Sequence, residues 1–245
     1  MSLLGNLFNL ILYQPLFNAL IFLYEYLPGR DFGIAVIVLT VLIKVLFYPL
    51  GTKAIKSQKA LQELQPKIKE IQEKYKKDRQ AQAKATMELY RESKISPFSG
   101  FLPILIQLPI LIALYQVFWK GLRPEGLSHL YSFLPNPGQI DPTFFGIINL
   151  AGPSIILAFL AGIFQFFQTK MTMPRQKSVS SSKNPGPDFS QMMQKQMLYF
   201  FPIFTVFILW KLPSAIALYW IVTSVFTIIQ QYFITRRQTR YVPTK

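Results

Sequence analysis

The sequence FGIAVIVLTVLIKVLFYPL occupies residues 32–50, and Lys44 is its only charged residue. A helix needs about 20 mostly apolar residues to cross the hydrocarbon core of a membrane. The stretch therefore predicts a first transmembrane helix, TM1, over residues 31–50. Because a lysine inside a span costs about 2.5–3.5 kcal/mol on insertion scales, we expect Lys44 to face protein or water rather than lipid.

The composition of the whole chain favours a polytopic membrane protein. Hydrophobic residues make up 51% of the chain and charged residues only 15%, whereas a soluble domain carries about 25% charged residues. There is no cysteine, and so there is no disulfide, no cysteine nucleophile and no thiolate metal site. The sequence also has no phosphate-binding glycine loop and no HExxH motif. We therefore expect no enzymatic activity, no metal and no cofactor.

Four further spans follow from long apolar runs, and the fold class predicted is an all-α bundle of five transmembrane helices. The run from Met197 to Ile234 is too long for one helix and breaks near Pro213, because proline resists helix continuation. The remaining predicted spans are TM2 at 98–119, TM3 at 144–169, TM4 at 197–211 and TM5 at 214–234.

The N-terminal segment, residues 1–30, is apolar enough to span, but Pro15 interrupts it. Gln14, Asn18 and Glu25 fall near one face of a helix. The segment lacks the basic start and the cleavage site of a signal peptide. We favour an amphipathic helix lying in the extracytoplasmic interface over a sixth span.

The basic residues predict the orientation. The net charge is +15, and 21 of the 26 lysines and arginines fall within residues 51–97, 170–196 and 235–245. Since basic loops stay in the cytosol, the N-terminus is expected outside, the C-terminus inside, and residues 120–143 in an outer loop. The protein is thus expected in the cell membrane. The same placement beside apolar runs argues against DNA as a ligand.

The two cytosolic loops differ in character. Residues 170–196, rich in serine and proline, predict a flexible loop, and 235–245 a basic tail. Residues 51–97 instead combine a helical apolar spacing, a break near Asp78 and a second expected helix from about Arg79 to Glu92. This favours an antiparallel helical hairpin over a solvated loop that only sets topology. Candidate residues for recruiting partners are Lys67, Lys69, Lys74, Lys76, Lys77 and Arg79.

Polar strips run through two other spans. They consist of Tyr219, Thr223, Thr227 and Gln230 in TM5, with Trp220 beside them, and of Gln165 and Gln168 in TM3. Such strips hydrogen-bond helices together or line a hydrated cavity. The only acidic residue in the five predicted spans is Asp31, at the far end of TM1 from Lys44, so helix contacts alone would leave the charge of Lys44 unsatisfied.

Two interpretations of Lys44 stay open. Its stem could reach the cytosolic end of the span, about 9 Å away at 1.5 Å per residue. Alternatively Lys44, with Thr40 one turn earlier on the same face, lines a hydrated groove that opens to the cytosol. The polar strips favour the groove.

Several segments resemble the YidC-type membrane protein insertase family, whose relatives are the Oxa proteins of mitochondria and the Albino proteins of chloroplasts. They are QPL at 14–16, IKVLFYPL at 43–50, LQPKI at 64–68, ISP at 95–97, LPILIQLPI at 102–110, LYWIV at 218–222 and TIIQQ at 227–231. They run through nearly the whole chain in the family's order. The large outside domain of some members has no counterpart, so the resemblance is to a short, bacterial form.

The resemblance implies five spans around a hydrophilic groove that is closed to the outside and open to lipid and cytosol. It implies a monomeric unit that inserts and helps fold nascent membrane proteins without nucleotide hydrolysis, in contact with membrane lipids. The Sec translocon, the ribosome and the signal recognition particle receptor are the further partners implied. The family's groove arginine corresponds to Lys44, its groove threonine to Thr40 and a substrate-contacting aromatic to Trp220. Lysine keeps the charge but loses the planar, bidentate fork.

Two rival functions remain at this point. A small-solute or ion transporter would use the same groove, although no inverted repeat is apparent among the predicted spans. A passive scaffold would assemble other membrane proteins without inserting them. Solute uptake into proteoliposomes separates the transporter from the insertase.

The predicted orientation can be tested directly, because the chain has no native cysteine. Ala85→Cys and Ser180→Cys should react with a membrane-impermeant thiol reagent only from the cytosolic side, since their loops carry the excess of positive charge. Leu130→Cys should react only from the outside. Reaction of the residue 85 cysteine from the outside would overturn the assignment.

Overall fold

The computed structural model describes residues 3–96, 98, 102–121, 124–173 and 189–239. Its helices are α1 Leu3–Phe8, α2 Gln14–Tyr26, α3 Phe32–Leu46, α4 Tyr48–Lys74, α5 Arg79–Glu92, α6 Leu102–Gln116, α7 Ile155–Thr172, α8 Phe189–Leu209 and α9 Ser214–Thr239. A π-helical turn, Asn9–Tyr13, joins α1 to α2, and another, Val117–Gly121, extends α6. Strands β1 Thr143–Phe144 and β2 Ile148–Asn149 form a small antiparallel hairpin.

The described helices confirm a mostly helical polytopic membrane fold, although the sequence did not predict the small β-hairpin. Four segments are long and apolar enough to cross a membrane, namely Gly5–Tyr26, Ile104–Gly121, Ile155–Thr172 and Ser214–Arg236. Helices α3 and α4 qualify together as a pair bent by 67°, whereas the apolar part of α8, Leu198–Leu209, is shorter. Gly5–Tyr26 is among the segments that could cross a membrane. Its expected position in the membrane interface therefore stays a prediction.

The predicted start of TM3 at residue 144 is wrong. Residues 143–149 form the β-hairpin, and α7 begins only at Ile155, where the Ser154 side chain accepts a hydrogen bond from the Leu157 amide (3.4 Å). The hairpin turn contains Phe145 and Gly146, both with positive φ (51° and 67°). Residues 144–152 are as apolar as part of a span, but their backbone forms a hairpin and turns instead of a helix.

The predicted loop boundaries also shift. Helix α8 begins at Phe189, inside the expected flexible loop, and α9 continues to Thr239, inside the expected tail. Residues 174–188 of that loop and 240–245 of the tail lie outside the described residues. Helix α6 begins at Leu102, four residues after the predicted start of TM2.

The helical hairpin between the first two predicted spans is formed by α4 and α5, which contact each other. Helix α5 has the predicted bounds, because the Asp78 carboxylate caps it by accepting from the amides of Gln80 and Ala81, each at 3.0 Å. Helix α4 starts earlier than expected, at Tyr48, directly after the end of α3. The hairpin therefore grows out of the membrane helix with one residue, Phe47, between them.

The core lies at one end of the bundle, which we call the capped end. Here the N-termini of α3 and α7, capped by Asp31 and Ser154, and the start of α9 at Ser214 meet the loop that holds β1 and β2. Asp31 accepts from the amides of Ile34 and Phe145. Ser214 donates its amide to the Gly152 carbonyl (2.8 Å) and its hydroxyl to the Asn149 carbonyl (3.1 Å).

Burial falls away from the capped end. The buried positions of α6 begin at Ile110, near the middle of the helix, and those of α7 end at Gly162, so the far half of each helix is less enclosed. Helix α2 closes the capped end from the side. Asn18 exchanges hydrogen bonds with the backbone of His129 and Tyr131, and the Tyr24 hydroxyl accepts from the Asp141 amide (3.1 Å). Helices α6 and α7 are therefore more tightly packed at the capped end than at the other end.

The contact between α7 and α8 depends on Gly162, since a Cβ there would overlap Val206 Cγ2 and lie 3.2 Å from the Pro202 carbonyl oxygen. We expect Gly162→Ala to lower the free energy of unfolding by about 1–3 kcal/mol, because overpacking outweighs the gain in helix propensity. The double variant, Gly162→Ala with Val206→Ala, should lose less free energy of unfolding than the two single variants lose in sum. Denaturant unfolding in detergent, followed by circular dichroism, measures both.

A matched control is Gly152→Ala, since a Cβ at Gly152 meets no atom within 4 Å. It should change the unfolding free energy by no more than about 0.5 kcal/mol. Equal losses for the two glycine variants would contradict the packing argument.

Candidate functional site

Lys44 points across the bundle toward α9. Its side chain is half-buried, and the ammonium nitrogen lies 6.0 Å from the centroid of the Phe226 ring. The opposite face of α3 exposes apolar side chains, including Leu42 and Leu46. Within the part of the chain that the structure describes, no carboxylate pairs with Lys44. An aromatic face offers a cation weak electrostatic support, and so the charge stays available to an anion.

Thr40 lies one turn from Lys44, toward the capped end, and is buried. Its hydroxyl donates to the carbonyl of Val36 on its own helix (2.6 Å). That bond uses the only proton of the hydroxyl, so Thr40 can offer a further partner only an oxygen acceptor.

Tyr219 joins α9 to α6. It is only 1% exposed, and its hydroxyl oxygen accepts a hydrogen bond from the Gln107 amide. Sequence reasoning did not single out Gln107 as a site residue. The available signal was that Gln107 is the only amide in the apolar run Leu102–Leu114 of α6, and an isolated amide in a span usually bonds a neighbouring helix.

Trp220, the next residue, joins α9 to α7 instead. Its indole nitrogen donates to the side-chain oxygen of Gln165 (2.9 Å). Successive residues of a helix point about 100° apart, so Tyr219 and Trp220 face different neighbours. The structure thus brings Gln165 and Trp220 together as a bridge between two helices.

Gln168, predicted on the same face as Gln165, is half-buried at the far end of α7. Its backbone carbonyl accepts from the Thr172 hydroxyl (3.2 Å). Among the described contacts, none joins Gln168 to the other predicted site residues.

The remaining strip of α9 continues away from the capped end. Thr227 donates to the carbonyl of Thr223 (2.8 Å), and Gln230 donates to the Tyr48 carbonyl and the Thr52 hydroxyl, each at 3.1 Å. From Tyr219 to Gln230 the strip is about 16 Å long at 1.5 Å per residue. Phe226, the neighbour of Lys44, lies within this length. Lys44 of α3 therefore lies beside the strip of α9, next to the Phe226 ring, and Gln107 joins α6 to the same strip at Tyr219.

The basic candidates of the hairpin lie at its tip. Five of them are exposed: Lys67, Lys74, Lys76, Lys77 and Arg79. Lys69 is half-buried. The tip therefore presents several positive charges to solvent, well separated from the strip on α9.

Large apolar side chains cover the outside of the bundle. Ile156 of α7 and Ile203 of α8 are 67% and 68% exposed, and similar residues line the outer faces of α6 and α9. A water-soluble protein rarely exposes so many large apolar residues together, so these faces are suited to lipid. An apolar exterior around an internal polar strip defines a multi-pass helical membrane protein.

The chain belongs to the 60Kd inner membrane protein family, whose model matches residues 22–241. It is 40% identical over 207 residues to a membrane protein insertase YidC of Fusobacterium nucleatum, covering 84% of this chain and 87% of that protein. It is 37% identical over 228 residues to the YidC of Geobacter metallireducens, covering 92% of this chain. The match spans only 37% of the length of the Geobacter protein.

A solved structure shows a similar fold. The crystal structure of an active YidC insertase with its first transmembrane domain resolved matches with a TM-score of 0.58 and 24% identity. The match covers 90% of this chain and 46% of that chain. The family model and the relatives confirm the family resemblance found in the sequence, and the solved structure confirms the fold class.

The bridge between Trp220 and Gln165 should be measurable as a coupling free energy. In a double-mutant cycle of Trp220→Phe and Gln165→Leu, we expect a coupling of about 0.5–1.5 kcal/mol in unfolding, the range found for hydrogen bonds between membrane helices. The cycle of Trp220→Phe with Gln107→Leu should give almost none, because Gln107 bonds Tyr219. Similar coupling in both cycles would contradict the assignment of partners.

Proposed function

We propose that this chain is a membrane protein insertase, which inserts and helps fold nascent membrane proteins and uses no nucleotide. The observation that carries the proposal is Lys44, a half-buried cation that faces α9 and has no carboxylate partner among the described residues. Its relatives are named for the same activity.

The proposed substrate site is a hydrated groove between α3, α6 and α9. Its walls are Lys44, Thr223 and Thr227, the buried Thr40 and Tyr219 form its closed end, and the bridge of Trp220 to Gln165 closes it toward α7. Dense packing at the capped end and lighter packing beyond it support a groove that is open at one end only. A charge in a span is tolerated where it meets water.

The proposed mechanism is physical. An acidic tail of a client enters from the cytosol and is attracted by Lys44, since a groove of reduced dielectric strengthens the attraction between charges. Polar side chains lower the cost of moving polar backbone partway across. The client's apolar segment then enters lipid beside α3 and α9, and the burial of its surface, about 25 cal/mol per Å2, drives the step.

We propose the orientation that the basic residues predict, with the capped end outside and the hairpin in the cytosol. The contacts of α2 support an interfacial position. Asn18 and Tyr24, about 9 Å apart along the helix, both bond the loop between α6 and α7, at Tyr131 and Asp141. A helix that crossed the membrane, perpendicular to its surface, would contact this loop only through the end of the helix nearest to the loop.

The exposed positive charges at the hairpin tip suit it to receive clients and the factors that deliver them. We propose the ribosome and the signal recognition particle receptor as partners there. The working unit is a monomer in the lipid of the cell membrane, acting alone or beside the Sec translocon.

The activity is tested with purified protein in liposomes and a radiolabelled, small phage-coat-like substrate. We expect protease-protected, inserted substrate without added nucleotide. Insertion no greater than in empty liposomes would refute the proposal, and solute uptake by the same vesicles would favour a transporter.

A charge series at Lys44 tests the mechanism. Lys44→Arg should preserve insertion, since the charge stays at nearly the same depth. Lys44→Ala should slow insertion of clients with acidic tails about five- to thirtyfold, equivalent to 1–2 kcal/mol, and Lys44→Glu should be slower still because of repulsion. Neutralising the client's tail should abolish the differences.

The alternative for Lys44, a side chain that merely reaches the cytosolic end of the span, leads to a different result. Lys44→Ala would then be harmless or stabilising, because an expensive charge has left the span. Parental insertion rates for both Ala and Glu variants with acidic clients would exclude the electrostatic step.

A further inference from the structure

The cytosolic hairpin takes its direction from a single sharp bend. Helix α3 ends at Leu46, the backbone of the next residue, Phe47, is non-helical (φ −90°, ψ 11°), and α4 leaves at 67° to α3. Pro49, in the first turn of α4, has no N–H to donate to the carbonyl one turn earlier, which explains a break at this point. Helix α4 then runs for 27 residues to the hairpin tip.

Gln230 of α9 is fitted against this bend. It is 4% exposed, and its amide nitrogen donates both to the Tyr48 carbonyl and to the Thr52 hydroxyl, each at 3.1 Å. Gly51 makes room for it, since a Cβ at Gly51 would lie 3.1 Å from both the nitrogen and the oxygen of the Gln230 amide. Both partners of Gln230 belong to the first turn and a half of α4.

The same part of α9 also contacts Lys44. Phe226, one turn before Gln230, has its ring 6.0 Å from the Lys44 ammonium and 6.5 Å, edge to face, from the Tyr48 ring. One helical turn of α9 therefore touches the cation of the groove and the root of the hairpin.

We propose that Gln230 is a positioning residue, a latch that fixes the angle between α3 and α4 and so aims the cytosolic hairpin relative to Lys44. Helix α4 is about 40 Å long, so a change of 10° at the bend moves the tip by about 7 Å. The two hydrogen bonds of Gln230 join neutral groups, and such bonds can break and form again. Its importance for insertion rests on the proposed function, whereas its effect on the hairpin angle does not.

The adjacent residue provides a matched control. Gln231 is also a buried amide on α9, but it donates to the Met171 carbonyl of α7 (2.8 Å) and makes no described contact with the bend. Gln230→Leu and Gln231→Leu thus remove the same group from the same turn, with only the first touching α4.

The test measures the hairpin angle in the full chain. Spin labels at Leu42→Cys on α3 and Gln80→Cys at the hairpin tip report their distance by pulsed electron resonance in lipid nanodiscs. Gln230→Leu should shift or broaden the distance distribution by several ångström, and Gln231→Leu should leave it unchanged. Thr52→Val should broaden it partly, while Thr52→Ser, which keeps the hydroxyl, should restore the parental distribution.

The proposal is overturned if Gln230→Leu gives the parental distribution, or if Gln231→Leu broadens it equally, which would indicate general loosening of α9. Circular dichroism of each variant checks that the helices have formed. No client is present, so a failed latch leaves the insertase proposal standing, and failed insertion in liposomes leaves the latch standing.

Discussion

Hydrocarbon offers no hydrogen-bond partner, so every polar side chain inside the bundle must find one on a neighbouring helix or in water. Helix α9 carries most of these side chains, and their partners determine what packs around it. Tyr219 binds α6, Trp220 and Gln231 bind α7, and Gln230 binds the start of α4. These bonds join α9 to α4, α6 and α7, whereas α8 packs on α7 through the apolar contact at Gly162. Lys44 is the only charged residue among the predicted groove residues, and no carboxylate pairs with it among the described residues, so its charge is free to act on an anion that enters.

The two ends of the bundle differ in how closely their helices are joined. At the capped end, helix N-termini, the β-hairpin and α2 are joined by short hydrogen bonds and enclose the core. At the other end α3 gives way to a bend and the described part of α6 is less buried, although Gln230 and Gln231 of α9 stay buried there. A rigid closed end and a looser open end are what a one-sided groove requires, and the hairpin is attached to the looser end.

The sequence predicts features that depend on one helix at a time and misses those that depend on two. Helix α5 was predicted with its correct bounds because Asp78 marks its N-terminus. Lys44 was predicted to avoid lipid because placing its charge in lipid costs too much free energy. The start of α7 was predicted wrongly because residues 144–152 are apolar, although Gly146, Gly152 and Pro153 announce turns. The partner of Tyr219 could not be predicted from one sequence, because nothing along α6 says which helix Gln107 will face. The bend after Phe47 could be suspected from Pro49, but the buried amide that braces it could not.

The capped end is held largely by the main chain. The Ser214 and Ala215 amides bind the carbonyls of Gly152 and Leu150, and the Leu150 amide binds the Pro142 carbonyl. Main-chain amides and carbonyls are the same whatever the side chain. Most side chains of this loop can therefore change in evolution while these hydrogen bonds persist. Positions with a steric or side-chain duty are more constrained, among them Gly33, where a Cβ would collide with Phe144, Asp31, which accepts from the Phe145 amide, and Ser214, whose hydroxyl donates to the Asn149 carbonyl. Homologous chains should therefore vary more freely in the rest of the loop than at these three places.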